Sequence, residues 1–255
     1  MHVLVNLLPI SFPIIYFFSR YVWGRTRTSF RLIYFGYLLL VAWCVITLLG
    51  ELRERDYGNV IILSLTIILT MYLVIRKERE IFYGFVPRTV SLMVSIYFPL
   101  KLLDDVLHLI TYTVAYLTFT FAKTLLNAPL ALGSIEGDIF ISGVKNTYYF
   151  TFACTGFQSI AIITSPMIAT LEKVCIKKAL FISLAIYFLN VIRSFAIVFL
   201  VDGFSWDYYL VHTILMKIFS ILVMLGMFYY VLSTCKPLVD EVKRLSRVIL
   251  PKSRY

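Results

Sequence analysis

The sequence predicts an all-α, polytopic membrane helical bundle of about seven transmembrane spans, with the N-terminus outside and the C-terminus cytoplasmic. Of its 255 residues, 60% are hydrophobic and only 15% charged, too few charges to cover the surface of a soluble domain of this size. Several apolar runs reach the roughly 17–25 residues that a helix needs to cross the hydrocarbon core. The connections between these runs alternate between basic and non-basic without a break, which is the positive-inside pattern.

The runs fall at 3–18, 32–50 and 59–75, within 90–122, and at 147–170, 179–201 and 209–233. Connections 19–31, 76–88 and 171–178 and the tail 234–255 together carry 17 basic and 5 acidic residues, against 4 and 7 for 51–58, 123–146 and 202–209. The net charge of +10 therefore belongs to one membrane face and not to a nucleic-acid-binding surface. The first run has no basic residue ahead of it and no small-residue cleavage site after it, so it reads as a retained span. Stretch 90–122 is too long for one span and contains Pro99, Lys101, Asp104 and Asp105. The alternation requires an odd number of crossings there, which one span near 106–122 behind an interfacial or re-entrant helix supplies. The longest connection, with LALGSIEGDIFISGVKN, alternates apolar and polar residues around glycines and predicts short β-structure in an outer loop just before the fifth span. No internal repeat appears, and the chain reads as a single integral membrane domain with its functional core over about 140–220.

Polar groups inside such a chain narrow its function, because an ionisable side chain in a span costs about 2.5–3.5 kcal/mol on insertion scales and so usually has a task. Three stretches stand out. FACTGFQS carries Cys154, Gly156, Gln158 and Ser159 where the fifth span begins; FLNVIRSFAIVF carries Asn190 and Arg193; LVHTILMKIFS carries His212 and Lys217. At about 1.5 Å per residue, Cys154, Arg193 and His212 lie roughly 10, 12 and 5 Å below the outer ends of their spans. All three then share the outer half of the membrane. On a continuous fifth helix Cys154, Gln158 and Ser165 would share one side, at i, i+4 and i+11.

Each residue also has a plainer role. A lone cysteine in an apolar segment is usually a small hydrophobe, as Cys44 is expected to be. Cys175 and Cys235 fall on the basic, reducing face and are expected to be incidental, which leaves Cys154 without a disulfide partner. An arginine near a span end often snorkels to the headgroups, and Lys217 can serve as a counter-charge to lipid phosphate. It is the conjunction of Cys154, Arg193 and His212 at one depth that points to chemistry. The four cysteines and three histidines show no CxxC or HxxxH spacing, so neither a metal site nor a cofactor is expected. GxSG, GxGD and HExxH are absent too, which leaves a thiol mechanism among intramembrane hydrolases. A thiol acts as thiolate, stabilised by a nearby cation; the arginine fork suits an oxyanion; an imidazole takes and returns a proton. Together these run acyl transfer through a thioester.

ACTGFQS at 153–159, NVIRSF at 190–195 and the histidine at 212 resemble the archaeosortase/exosortase family, whose pattern is Cys-(Ser/Thr)-Gly, then an arginine in a later span, then a histidine or arginine near the next. The Cys-Thr-Gly form is similar to the archaeal branch. The resemblance covers about 140–220. It implies a cysteine protease or transpeptidase of the cell membrane, multi-pass, with its site facing the extracytoplasmic side. Its partners would be surface proteins carrying a C-terminal sorting signal of short motif, transmembrane helix and basic tail. Cys154 would be the nucleophile, Arg193 the oxyanion stabiliser or thiolate partner, and His212 the general acid/base, with Gly156, Gln158, Ser159, Asn190 and Lys217 supporting or binding substrate. Water and a membrane-lipid amine are both compatible acceptors, and both His212 and Lys217 are compatible proton carriers. The alternative is a non-enzymatic transporter or a scaffold for surface-protein export, for which paired broken helices or internal repeats would be expected.

Overall fold

Apolar sequence of this density folds into helices wherever lipid would deny the backbone other partners. The computed structural model describes residues 2–22, 24, 26–54, 57–76, 83–126, 129–135, 137–144 and 146–249, and among the described residues five helices come first. They are α1 (His2–Tyr21), α2 (Arg27–Glu54), α3 (Tyr57–Arg76), α4 (Phe85–Leu102) and α5 (Asp104–Leu126). A small sheet follows, with strands β1 (Ala131–Ile135), β2 (Asp138–Ser142) and β3 (Thr147–Phe150). A 3-10 turn, Phe152–Thr155, leads into α6 (Phe157–Ala169), α7 (Lys173–Val198), α8 (Met216–Thr234) and α9 (Lys236–Ile249). Wide π turns lengthen the facing ends of α7 and α8, at Phe199–Gly203 and Leu210–Leu215. Such turns are rare and are frequently found at functional sites.

Among the described residues four helices are long and apolar enough to cross a membrane: Arg27–Gly50 of α2, Asp104–Leu126, Lys173–Gly203 and Leu210–Thr234. Their outward faces are apolar. On α8, Ile218, Leu222, Leu225 and Phe228 are all exposed, which suits a surface solvated by acyl chains rather than water. The stretch 90–122 resolves into α4, which carries Pro99, and the long α5, which opens on Asp104 and Asp105.

The fifth span requires correction. Residues 147–150 are a β-strand and 152–155 a 3-10 turn, so α6 begins only at Phe157 and has 13 residues. That is about 20 Å of helix, short of the roughly 30 Å hydrocarbon core. The cause is local: Gly156 takes φ +75°, a left-handed geometry that ends the 3-10 turn and forbids a continuous helix through it. Cys154, Gln158 and Ser165 therefore do not form one helical stripe; Cys154 is half-buried on the turn, Gln158 is exposed and Ser165 is buried.

The chain divides into two compact units. One comprises residues 1–98, 168–170 and 237–255. Its core is Phe12, Tyr16, Ile33, Tyr37, Val74 and Tyr83, with Leu245 of the amphipathic α9 packed against it. The Tyr83 hydroxyl bonds the Ser29 hydroxyl at 2.6 Å and donates to the Thr26 carbonyl at 2.9 Å, which ties the start of α2 to residue 83.

The other unit, residues 99–167 and 171–236, contains every residue singled out in the polar stretches. Its sheet is an antiparallel meander in the order β1-β2-β3. Ile139 pairs with Phe150 and Ile141 with Tyr148, so these four side chains leave one face together. They pack on Val114, Ala115 and Ala122 of α5, Val191 and Val198 of α7, and Val211 and Met216. At the other end of the helix pair, Cys175 of α7 and Cys235, which follows α8, are joined as a disulfide with Cα atoms 5.6 Å apart. Nearby the Lys178 ammonium donates to the Thr234 carbonyl at 2.5 Å. The expectation that these cysteines are incidental is thus overturned. Sixty residues separate them, and sequence spacing alone cannot show that an antiparallel helix pair brings its two ends within disulfide reach. Non-reducing peptide mapping of the native protein is expected to recover Cys175 and Cys235 in one linked fragment, with Cys44 and Cys154 as free thiols; a Cys154-containing linked fragment would contradict this pairing.

Candidate active site

Cys154 is positioned by backbone rather than by a helix. Its N–H donates to the Thr151 carbonyl at 2.9 Å, closing the 3-10 turn, and its sulfur lies 3.8 Å from the Thr151 hydroxyl. The next residue, Thr155, is fully buried; its hydroxyl donates to the Phe152 carbonyl at 2.6 Å and receives the Phe157 N–H at 3.4 Å. That one hydroxyl both braces the turn and satisfies a first-turn donor of α6, the service an N-cap side chain performs. The thiol is free and half-buried.

Gly156 explains how this turn meets α7. A Cβ there would run into the Asn190 carboxamide, so the turn sits against that side chain only because Gly156 has none. Asn190 is itself fixed by donating to the Ile186 carbonyl at 3.0 Å. The contact also sets depth. Counting from Lys173, Asn190 lies roughly 25 Å along α7, Arg193 roughly 30 Å, and the far end of the π turn roughly 45 Å. The Cys154 turn therefore meets α7 well inside its length.

Arg193 is one turn beyond Asn190, half-buried, with a buried Nε that finds no hydrogen-bond partner among the described residues. It lines a cavity of about 210 Å³ together with Gly156, Gln158, Ser159, Asn190 and Ser220. Apolar side chains, Ile186, Leu189, Phe219 and Met224 among them, close the remaining walls. His212 lies within the π turn ahead of α8, half-buried, within electrostatic range of both Arg193 and Lys217. Lys217 itself is exposed. No hydrogen bond joins Cys154, Arg193 and His212 to one another among the described residues. Arg193 lies within electrostatic range of His212, and Tyr208 links the other two, stacking on His212 within electrostatic range of Cys154.

Three groups here have no counterpart in the sequence reading. Tyr208 stacks on His212 with ring centroids 5.2 Å apart and an interplanar angle of 12°. Burial pushes its hydroxyl up from the ordinary tyrosine range, and proximity to Cys154 adds to the shift. Tyr148, on the inner face of β3, lies 6.1 Å from Tyr208 ring to ring. It is raised further still by burial and by the neighbouring Asp202 carboxylate. Asp202 is pressed against Gly143, where a Cβ would collide with its carboxylate. The signal for Tyr208 was present in the sequence, since it precedes His212 by one helical turn. Nothing in the sequence joins Tyr148 to Asp202, because strand and helix end meet only through the fold.

Comparison of the chain with protein-family models, curated proteins and solved structures finds no match. The site is therefore read from its own chemistry.

Gly156→Ala is expected to destabilise the unit on two counts: about 1–2 kcal/mol for forcing a side chain into left-handed φ, and about 1–3 kcal/mol for overpacking against Asn190. Combining it with Asn190→Ala should relieve the second cost and leave the first, so the double variant should unfold at a higher temperature than Gly156→Ala alone. Unfolding of both variants in detergent checks this; equal or additive losses would show that the Gly156–Asn190 approach is not close.

Proposed function

We propose that the protein is a membrane-embedded cysteine protease or transpeptidase of the archaeosortase/exosortase type, acting on the C-terminal sorting signals of surface proteins. The observation that carries the reading is a free, half-buried thiol on a rigid turn, grouped with an unpartnered buried guanidinium nitrogen and an imidazole at one end of a single unit. A structural cysteine needs none of these neighbours.

The chemistry then runs as follows. The Cys154 thiolate attacks the carbonyl carbon of the scissile peptide, and the carbonyl oxygen becomes an oxyanion. Arg193 supplies donors to that oxyanion from a site that excludes most water, where such donors are worth most. The tetrahedral adduct collapses, the C–N bond breaks, and the leaving amine takes a proton from the His212 imidazolium. An acyl thioester remains on Cys154. Water or an amine headgroup attacks that thioester, gives a proton to His212, and expels the Cys154 thiolate, which frees the new C-terminus and restores the thiolate beside a protonated His212. Gly156 and the cavity beside it, with Gln158, Ser159 and Asn190, offer an extended peptide both room and hydrogen-bond partners. Lys217 holds positive charge near the headgroups.

The topology that suits this function has seven crossings, the N-terminus outside and the basic connections cytoplasmic, in the cell membrane. The charge bias supports it. Under this topology the short α6 crosses with the membrane thinned locally or its entry loop drawn inward. The Cys175–Cys235 bond then lies on the cytoplasmic side, where disulfides are uncommon; both sulfurs are fully buried, which hinders attack by soluble thiols.

In the native host, mass spectrometry of intact surface proteins should find C-terminal helices removed with wild type and retained with Cys154→Ala. Arg193→Ala should slow removal by about 10²–10³, the usual loss of one oxyanion donor. C-termini that are identical in wild type and in a folded Cys154→Ala protein would return Cys154 to packing and favour an export scaffold or transporter.

A further inference from the structure

His212 and Cys154 make no direct hydrogen bond, yet one side chain touches the first and lies within electrostatic range of the second. Tyr208 sits one helical turn before His212, with its ring nearly parallel to the imidazole at 5.2 Å. Its other neighbour is Tyr148 on β3, at 6.1 Å, the strand that runs through Thr151 into the Cys154 turn. The segment carrying Tyr208 is itself held: the Leu210 N–H donates to the Asp207 carboxylate at 2.8 Å, the Val211 N–H to the Asp207 carbonyl at 3.1 Å, and the Trp206 N–H reaches back to the Leu200 carbonyl at 3.1 Å. These bonds hold the backbone that carries the Tyr208 ring, which is 41% exposed, and a ring stacked on the imidazole favours parallel or edge geometries over intermediate tilts.

We propose that Tyr208 is a positioning residue: it clamps the His212 ring in the plane from which the imidazole addresses Cys154. The inference rests on the reading of Cys154 as a nucleophile served by His212. A free imidazole on the wide π turn can adopt two or more ring orientations, and only some turn a nitrogen toward the sulfur. Stacking removes the others before substrate arrives, which is the preorganisation that acid–base catalysis needs. The charged and titratable groups facing this arrangement are Arg193 and Lys217 toward His212, Cys154 and Tyr148 toward Tyr208, and Asp202 behind Tyr148.

The test uses the full-length protein in detergent and needs no substrate. Iodoacetamide is the probe, and its rate of reaction with Cys154 is followed across pH by peptide mass spectrometry, which resolves Cys154 from Cys44. In wild type the His212 imidazole takes the thiol proton as the sulfur attacks, so removing that imidazole should slow alkylation of Cys154 at neutral pH. Tyr208→Leu should lower the neutral-pH rate about tenfold. Tyr208→Phe keeps the stack and should match wild type within about twofold, which separates ring positioning from loss of fold. His212→Ala should reproduce the Tyr208→Leu profile, and the double variant should show no further loss, since two residues acting through one step are not additive. A wild-type profile in Tyr208→Leu beside a shifted one in His212→Ala would overturn the clamp and leave the nucleophile reading standing. Multiplying losses in the double variant would likewise overturn it. If His212→Ala itself leaves the profile unchanged, the pairing of His212 with Cys154 fails and the clamp fails with it.

Discussion

The arrangement of the site depends on one steric constraint, the approach of Gly156 to Asn190. A 3-10 turn that ends in a left-handed residue redirects the chain sharply, and only glycine takes that geometry at little cost. The missing side chain then lets the turn sit against the Asn190 carboxamide. From this contact follow the depth of Cys154 along α7, its separation from the lipid-facing helix surfaces, and its position on the same end as Arg193. Had α6 begun at residue 147, as the apolar run suggested, Cys154 would ride on a helix and its sulfur would lie wherever the helical screw carried it. The turn fixes it instead through the Thr151 carbonyl and the buried Thr155 hydroxyl.

Around that turn the protein accumulates polarity that packing alone does not require. An arginine nitrogen is buried without a partner, an aspartate is pressed against a glycine backbone, and two tyrosines are raised in pKa. The buried Arg193 nitrogen costs free energy in apolar surroundings, since a buried polar group without a hydrogen-bond partner is destabilising by about 1–3 kcal/mol. Structural needs account for Tyr148, whose ring belongs to the sheet core. They do not account for the Nε of Arg193, which finds no partner among the described residues on a side chain that lines a cavity of about 210 Å³. A group that develops negative charge during reaction would satisfy that nitrogen only as the charge appears, which is the differential binding that catalysis uses.

Much of this was legible in the sequence, and the reasons it was or was not are physical. Apolar runs longer than a bilayer is thick read correctly as α2, α5, α7 and α8, because length and composition suffice. The alternation in residues 130–146 foretold strands, because the period of two reflects a sheet with one buried face, as Ile139 and Ile141 show. The same apolar character misled at residues 147–155, where TYYF and FACT suit a buried strand and turn as well as a helix. The deciding signal was Gly156, whose need for positive φ is a property of the fold. The Cys175–Cys235 bond and the pairing of Tyr148 with Asp202 were invisible for a simpler reason: both join residues far apart in sequence. Tyr208 lies one turn before His212 in the sequence, but among 18 tyrosines that spacing does not single it out.

The central claim is that acyl transfer passes through a thioester on Cys154, and a nucleophile stronger than water tests it most directly. Cells expressing the wild-type protein would be incubated with hydroxylamine, and the new C-termini of their surface proteins weighed. Interception of a thioester yields C-terminal hydroxamates in wild type and none in Cys154→Ala. Cleavage that proceeds in hydroxylamine with only the untreated C-termini and no hydroxamate would contradict a covalent intermediate on Cys154.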